Sequence, residues 1–124
     1  MEEKITRELI EKYFKAWKEK DLKSFLSVLH NQAEVRESTG AIYQGKKTLE
    51  KWFTSWNRGT NRVIYWKINS LGFDEKKSTA FLEWKFKCSY ESKEYEFEGS
   101  SIVYFKDKFI LGINEYEMKL ERDY

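Results

Sequence analysis

The chain has 124 residues, of which 40% are hydrophobic and 18% aromatic, and this is enough apolar bulk for one buried core. Its 23 basic and 21 acidic residues leave a net charge of +2. The two signs alternate along the chain, which is typical of a solvated surface and argues against nucleic-acid binding. No apolar run approaches the roughly 18 residues of a membrane span, and no signal peptide opens the chain. The sequence therefore predicts a cytoplasmic protein with a single domain, 1–124, and no membrane partner.

The N-terminal half predicts three amphipathic helices and one small hairpin. Apolar residues recur four apart over residues 1–20, which is the stripe of an amphipathic helix. Asp21 stands where an N-cap would, and it opens a short second helix that we expect to end near His30. Residues 33–43 break into two short extended pieces around a turn, and residues 46–57 return to helical spacing. These helices are expected to cover one face of a sheet.

The C-terminal half predicts four antiparallel strands joined by charged turns. Residues 62–73 are apolar in both phases of the alternation, so we expect that strand to be covered on both sides. Residues 80–88, 95–105 and 110–118 alternate more clearly, and the lone cysteine, Cys88, falls on the inner face as a small buried hydrophobe. The inner face is predicted to hold Ala80, Leu82, Trp84, Phe86, Cys88, Phe97, Gly99, Ser101, Val103, Phe105, Ile110, Gly112, Asn114, Tyr116 and Met118.

Four local motifs carry a resemblance to a known family. They are Lys20-Asp21-Leu22, Tyr43-Gln44-Gly45-Lys46, the glycine-centred strand over residues 97–105, and the last strand over residues 108–116. Their order resembles the nuclear transport factor 2-like superfamily, and within it the SnoaL-like branch related to polyketide cyclases and ketosteroid isomerases. The resemblance implies an α+β fold of the cystatin-like type. In that fold a cone-shaped, strongly curved antiparallel sheet wraps around three N-terminal helical segments and encloses a blind pocket.

The same resemblance leaves the presence of a catalysed reaction open. Catalytic members commonly place an Asp after the aromatic pair of the final strand, and an Asp or His on the glycine-centred strand. Here those positions correspond to Met118 and Ser101, which cannot act alone as a general acid or base near neutral pH.

Two other residues are weak candidates for acid–base chemistry. Glu37 shares a strand phase with Ala33 and Val35, so it projects into the interior if the strand continues, and is solvated if the strand ends first. His30, the only histidine, is either a base in the pocket or a partly solvated residue at a helix end. We expect no cofactor and no metal site, because no cluster of His, Cys and carboxylate has ligand spacing.

Aromatic residues on the predicted inner surfaces indicate a cavity between helices and sheet. Apolar walls with few polar groups suit a small apolar or aromatic molecule, although large rings can equally fill the cone. The predicted lining residues are Tyr13, Trp17, Trp52, Trp56, Trp84, Phe86, Phe97, Ser101, Asn114 and Tyr116.

The outer sheet face mixes apolar side chains with charged ones, including Glu83, Glu98 and Glu115 by strand phase, which is typical of a subunit interface.

The predicted cavity and the predicted outer face support two different functions. The first is a pocket protein for a small apolar molecule, with or without proton-transfer chemistry of the isomerase, cyclase or hydrolase type. The second is a non-enzymatic dimeric interaction module with a filled cone. Both include a homodimer, whose predicted surface comprises Phe81, Glu83, Ile102, Tyr104, Leu111 and Ile113.

Overall fold

The computed structural model describes residues 1–118, which form three α-helices and a six-stranded sheet. The helices are α1 (Glu3–Glu19), α2 (Leu22–Ser27) and α3 (Lys46–Trp56). The strands are β1 (Leu29–Arg36), β2 (Ile42–Gln44), β3 (Arg62–Asp74), β4 (Thr79–Tyr90), β5 (Lys93–Lys106) and β6 (Phe109–Glu117). None of these helices is long and apolar enough to cross a membrane.

The sheet has the strand order β2-β1-β6-β5-β4-β3. Strands β3 to β6 pair in sequence as antiparallel neighbours, as the alternation predicts. One pairing differs from the predicted all-antiparallel sheet, because β1 lies parallel to β6. The curved sheet is not closed, and α1 crosses its concave side against β3. This arrangement confirms the predicted α+β cone.

The short helix α2 begins and ends for identifiable reasons. The Asp21 carboxylate accepts a hydrogen bond from the backbone N–H of Ser24 at 3.1 Å, as an N-cap should. The helix ends at Ser27, earlier than predicted, because the carbonyl of Val28 accepts a hydrogen bond from Ile110 N–H at 2.8 Å. That bond draws the chain into the sheet. His30 therefore lies in β1, and its predicted place at a helix end was wrong.

Strand β3 turns residues of both apolar phases to the interior, so its composition does not require cover on both sides. Its register against β4 shifts between Val63 and Tyr65 and again between Ile68 and Ser70. Each irregularity turns the next side chain to the other face, so both apolar phases reach the interior in turn. The residues of β3 that oppose inner-face residues of β4 are Val63, Trp66, Ile68, Leu71 and Phe73.

Strand β6 contains a third irregularity, and this one decides which residues reach the interior. Ile110 pairs with Phe105 and Gly112 with Tyr104, so Leu111 is an extra residue in the strand. Beyond this bulge the alternation is reversed relative to the prediction. Ile113 and Glu115 oppose the inner-face residues Val103 and Ser101, and Ile113 is only 3% exposed. The predicted inward orientation of Gly112, Asn114 and Tyr116 was therefore wrong, as was the outward orientation of Ile113 and Glu115.

Candidate functional site

A cavity of about 230 Å³ lies between the helices and the concave face of the sheet. All five tryptophans of the chain lie on its wall. Six of the predicted lining residues are among those on the wall, namely Trp17, Trp52, Trp56, Trp84, Phe86 and Phe97.

The four other predicted lining residues lie elsewhere. Tyr13 and Ser101 are buried behind the wall. Asn114 and Tyr116 lie on the outer face of the sheet because of the bulge in β6, and Tyr116 is largely exposed. The hydroxyl of Ser101 accepts a hydrogen bond from the indole N–H of Trp84 at 2.9 Å, so it holds a wall residue in place.

Contacts between rings hold the aromatic wall in position. The Trp17 ring meets those of Trp52 and Trp56 edge-on, with centroids 5.0 and 5.5 Å apart. The Trp66 ring stacks on Phe14 at 3.9 Å. Such pairs restrict the rotation of large side chains beyond what burial alone does. The wall is therefore largely formed in advance of any ligand.

Glu115 is the most perturbed ionisable group of the cavity wall. Its side chain is partly accessible, and it lines the cavity with the aromatic rings of β3, β4 and β5. Burial, together with the nearby negative charge of Glu37, raises the pKa of the Glu115 carboxyl to about 8. Within residues 1–118 the side chain of Glu115 makes no hydrogen bond or ion pair. Glu115 is therefore largely protonated at neutral pH and is able to exchange its proton.

Glu37 supplies a second carboxyl group at the same cavity. It follows β1 directly and keeps the inward phase of Val35, and its side chain is half-buried. Thr39 donates its hydroxyl hydrogen to Glu37 Oε1 at 3.0 Å, which orients the carboxylate. Glu117 adds a third carboxyl group on the exposed side. The predicted alternation of β1 thus brings Glu37 to the cavity, even though the strand ends one residue before it.

The other residues considered from the sequence do not contribute acid–base chemistry here. His30 is remote from the cavity wall, and its Nε2 lies 3.8 Å from Asp107 Oδ2 at the β5–β6 turn. Cys88 is buried as predicted and lines the cavity, where burial raises the pKa of its thiol to about 11. A thiol with that pKa is a poor nucleophile at neutral pH. Residues 1–118 hold no group of three His, Cys, Asp or Glu side chains placed to bind a metal.

Sequence reasoning missed Glu115 and Trp66 as wall residues, and in both cases a strand irregularity is the cause. A signal for the bulge in β6 is present in the sequence. Phe109, Ile110 and Leu111 are consecutive apolar residues in an otherwise alternating strand, and Gly112 follows them. Such an interruption is typical of a β-bulge.

Comparison with known proteins places these features in a family. The model of the SnoaL-like domain family matches residues 10–113. No curated protein sequence gives a significant match.

Several solved structures have the same fold at low sequence identity. A protein from Bacillus subtilis provisionally assigned as an isomerase superposes with a TM-score of 0.83 at 16% identity, covering 97% of this chain and 91% of that one. An LEH-like epoxide hydrolase from M. tuberculosis gives 0.81 at 13% identity, covering 93% and 84%. A protein from Pseudomonas putida provisionally assigned as a polyketide cyclase gives 0.77 at 19% identity, covering 90% of each chain. Because the family model spans most of the sequence, this protein belongs to the SnoaL-like domain family, within the nuclear transport factor 2-like superfamily.

Proposed function

We propose that this protein binds a small, largely apolar or aromatic molecule in the cavity and that Glu115 exchanges a proton with it. The observation that carries the proposal is a carboxyl group with a pKa of about 8 among tryptophan and phenylalanine rings. The reaction class is proton transfer, as an isomerase, cyclase or hydrolase of small molecules would need. Glu115 takes a role for which the sequence had offered only two weak candidates, Glu37 and His30.

The pKa of the Glu115 carboxyl lies close to neutral pH, which suits this group to proton transfer. A general acid or base is most effective when its pKa lies near the pH at which it operates. An apolar wall achieves this for a carboxyl group by penalising the charged form, and a neighbouring carboxylate adds to the shift. Glu37 is that neighbour, because its charge is the second cause of the raised pKa of Glu115. The solved structures described as an epoxide hydrolase, an isomerase and a polyketide cyclase are compatible with such chemistry on this fold.

Kemp elimination of 5-nitrobenzisoxazole tests this proposal without knowledge of the natural substrate. A base removes the C–H proton of this small planar compound, the N–O bond breaks, and a coloured cyanophenolate forms. We expect the protein to accelerate the reaction with a rate that rises with pH towards a plateau above the pKa of about 8. Glu115→Gln should remove the acceleration, and Glu98→Gln, on the outer face of β5, should retain it. Equal rates for Glu115→Gln and the unmodified protein would refute the assignment of the proton carrier.

We also propose a homodimer formed through the outer sheet face, and one observation favours it. Phe81 on β4 and Tyr104 on β5 are 47% and 38% exposed, and Ile102 lies beside them. Large apolar side chains grouped on a sheet face are typical of an interface core. Ile113 no longer belongs to the proposed surface, because it is buried inside the cone. In the alternative function this outer face would be the functional surface and the cavity would have no ligand.

A further inference from the structure

We infer that the molecule bound in this cavity carries a positive charge on nitrogen, as an organic amine or quaternary ammonium compound. This inference names the ligand class for the binding function proposed above and rests on it. It is carried by two independent features of the wall, its concentration of indole rings and the sign of its charged residues.

The first feature is the set of indole rings around one small space. The five tryptophans come from four different elements, α1, α3, β3 and β4, and converge on a cavity of about 230 Å³. Tryptophan has the strongest affinity of the aromatic side chains for a cation above its ring face, and several rings together form a cage for ammonium groups. Apolar packing alone does not call for tryptophan, since leucine or phenylalanine fills a core equally well.

The second feature is the charge of the wall. Glu37, Glu115 and Glu117 line the cavity, and no Lys, Arg or His of residues 1–118 lines it with them. This contrasts with the chain as a whole, which carries a net charge of +2. Lys51 lines a neighbouring groove that shares Glu37 with the cavity, and it does not line the cavity itself. An anionic ligand would therefore be opposed by the carboxylates of Glu37 and Glu117, whereas a cation would be attracted by them and by Glu115 once it ionises.

The buried N–H groups of the wall do not favour an anion either. The indole nitrogens of Trp17 and Trp66 lack hydrogen-bond partners among the described residues, but both atoms are fully buried and present no surface to the cavity. A ligand oxygen would not reach them. The rest of the wall consists mainly of aromatic side chains and three carboxyl groups, with the hydroxyls of Ser38 and Thr39. Aromatic rings and carboxyl groups together recognise a cation with an apolar body.

A bound cation would also change the protonation of Glu115. The ionisable group that acts on Glu115 is Glu37, and the charge of Glu115 acts in turn on Tyr13. The other ionisable groups on the cavity wall are Glu117, Cys88, Tyr90 and Tyr95. None of them is basic, so a cationic ligand would be the only positive charge in the cavity as residues 1–118 define it. A positive charge beside a carboxyl group favours its ionised form, and binding at pH 7 should therefore release a proton.

A pair of probes with the same shape and different charge separates this inference from simple apolar binding. Phenyltrimethylammonium carries the charge, and tert-butylbenzene is its neutral isostere. Intrinsic tryptophan fluorescence reports binding directly, because every tryptophan lines the cavity. We expect the cation to bind at least about tenfold more tightly. Calorimetry in two buffers of different ionisation enthalpy should detect the released proton.

Variants that remove a carboxyl group from the wall test whether the preference for the cationic probe arises in the cavity. Glu37→Gln and Glu115→Gln should each weaken binding of the cation several-fold and leave binding of tert-butylbenzene unchanged. Glu98→Gln serves as the matched control on the outer face, and circular dichroism checks that each variant is folded. Equal affinity for the two probes would overturn the inference and leave the proposed binding function standing. Failure of both probes to bind at millimolar concentration would overturn the binding function together with the inference.

Discussion

Gly99 lies so close to the indole of Trp84 that no other residue fits at this position without displacing it. A methyl group on Gly99 would fall 2.5 Å from Cη2 of Trp84 and would also overlap the carbonyl oxygen of Tyr116. The absent side chain thus gives the indole its place on the cavity wall, where its N–H reaches Ser101. The glycine-centred strand that the sequence presents as a family motif has, in this chain, a packing reason.

Gly99→Ala should therefore destabilise the protein by about 1–3 kcal/mol, the usual range for overpacking a filled core. The Trp84 indole and the backbone at Tyr116 must both move to relieve the overlap, so the tryptophan fluorescence spectrum should change as well. Chemical denaturation followed by fluorescence measures both effects. Gly72→Ala is the matched control, since a methyl group on Gly72 in β3 meets nothing within 4 Å. Similar losses for the two variants would mean that strand propensity, and not the contact with Trp84, sets the requirement for glycine.

Ser101→Ala tests the hydrogen bond that holds the same indole. The substitution leaves the buried N–H of Trp84 without its acceptor, and an unsatisfied buried donor costs about 1–3 kcal/mol. The free energy of unfolding should fall by that amount, while Ser100→Ala, one residue away on the outer face, should have little effect. An unchanged stability of Ser101→Ala would indicate that the indole finds another partner.

Much of this architecture could be predicted from the sequence because its periodicities are strong. The helical stripes of α1 and α3 and the alternation of β4 and β5 rest on many residues each, so one exception does not change the outcome. For Glu37 the sequence left an interior and a solvated position open, and in the structure it lines the cavity because it continues the phase of Val35.

The errors in the facing of strand residues share a single physical cause. A β-bulge adds one residue and reverses the facing of every residue after it, and alternation counted along one strand cannot detect this without the partner strand. Because of the bulge at Leu111, Glu115 faces inward and Asn114 faces outward, the reverse of the prediction. For this reason the sequence did not identify Glu115 as an acid–base candidate. The alternation in β3 suggested that this strand is apolar on its outer side as well. The two irregularities instead turn residues of both apolar phases inward.

The proposed homodimer predicts that a charge on the outer face separates the subunits. Phe81→Glu places a carboxylate where an exposed ring would meet the partner, and desolvating an unpaired charge at an interface is costly. Light scattering should give the dimer mass for the unmodified protein and the monomer mass for the variant. Lys76→Gln, in the β3–β4 turn, removes one positive charge and so controls for the same change in net charge. A monomer mass for the unmodified protein across a wide range of concentrations would exclude the dimer.

The raised pKa of Glu115 predicts how stability depends on pH. In the folded protein this carboxyl group has a pKa of about 8, against an ordinary value of 4.5 that applies to the unfolded chain. Between these two values the folded state binds more protons than the unfolded state, so stability falls as the pH rises through that window and levels off above it. The amide side chain in Glu115→Gln cannot ionise, so the stability of this variant should not fall with pH in this window. At pH 8.5 it should exceed the unmodified protein in stability by at least about 1 kcal/mol, since one pKa unit corresponds to about 1.4 kcal/mol.

Urea denaturation at several pH values between 4 and 9 measures this difference directly. Near pH 4 Glu115 is protonated in the folded state and largely protonated in the unfolded state, so the two proteins should converge in stability there apart from the small difference between a carboxylic acid and an amide. Glu98→Gln, whose side chain lies on the outer face, should follow the unmodified protein throughout. Parallel curves for Glu115→Gln and the unmodified protein would mean that Glu115 titrates alike in both states, and would remove the electrostatic basis for assigning it the proton.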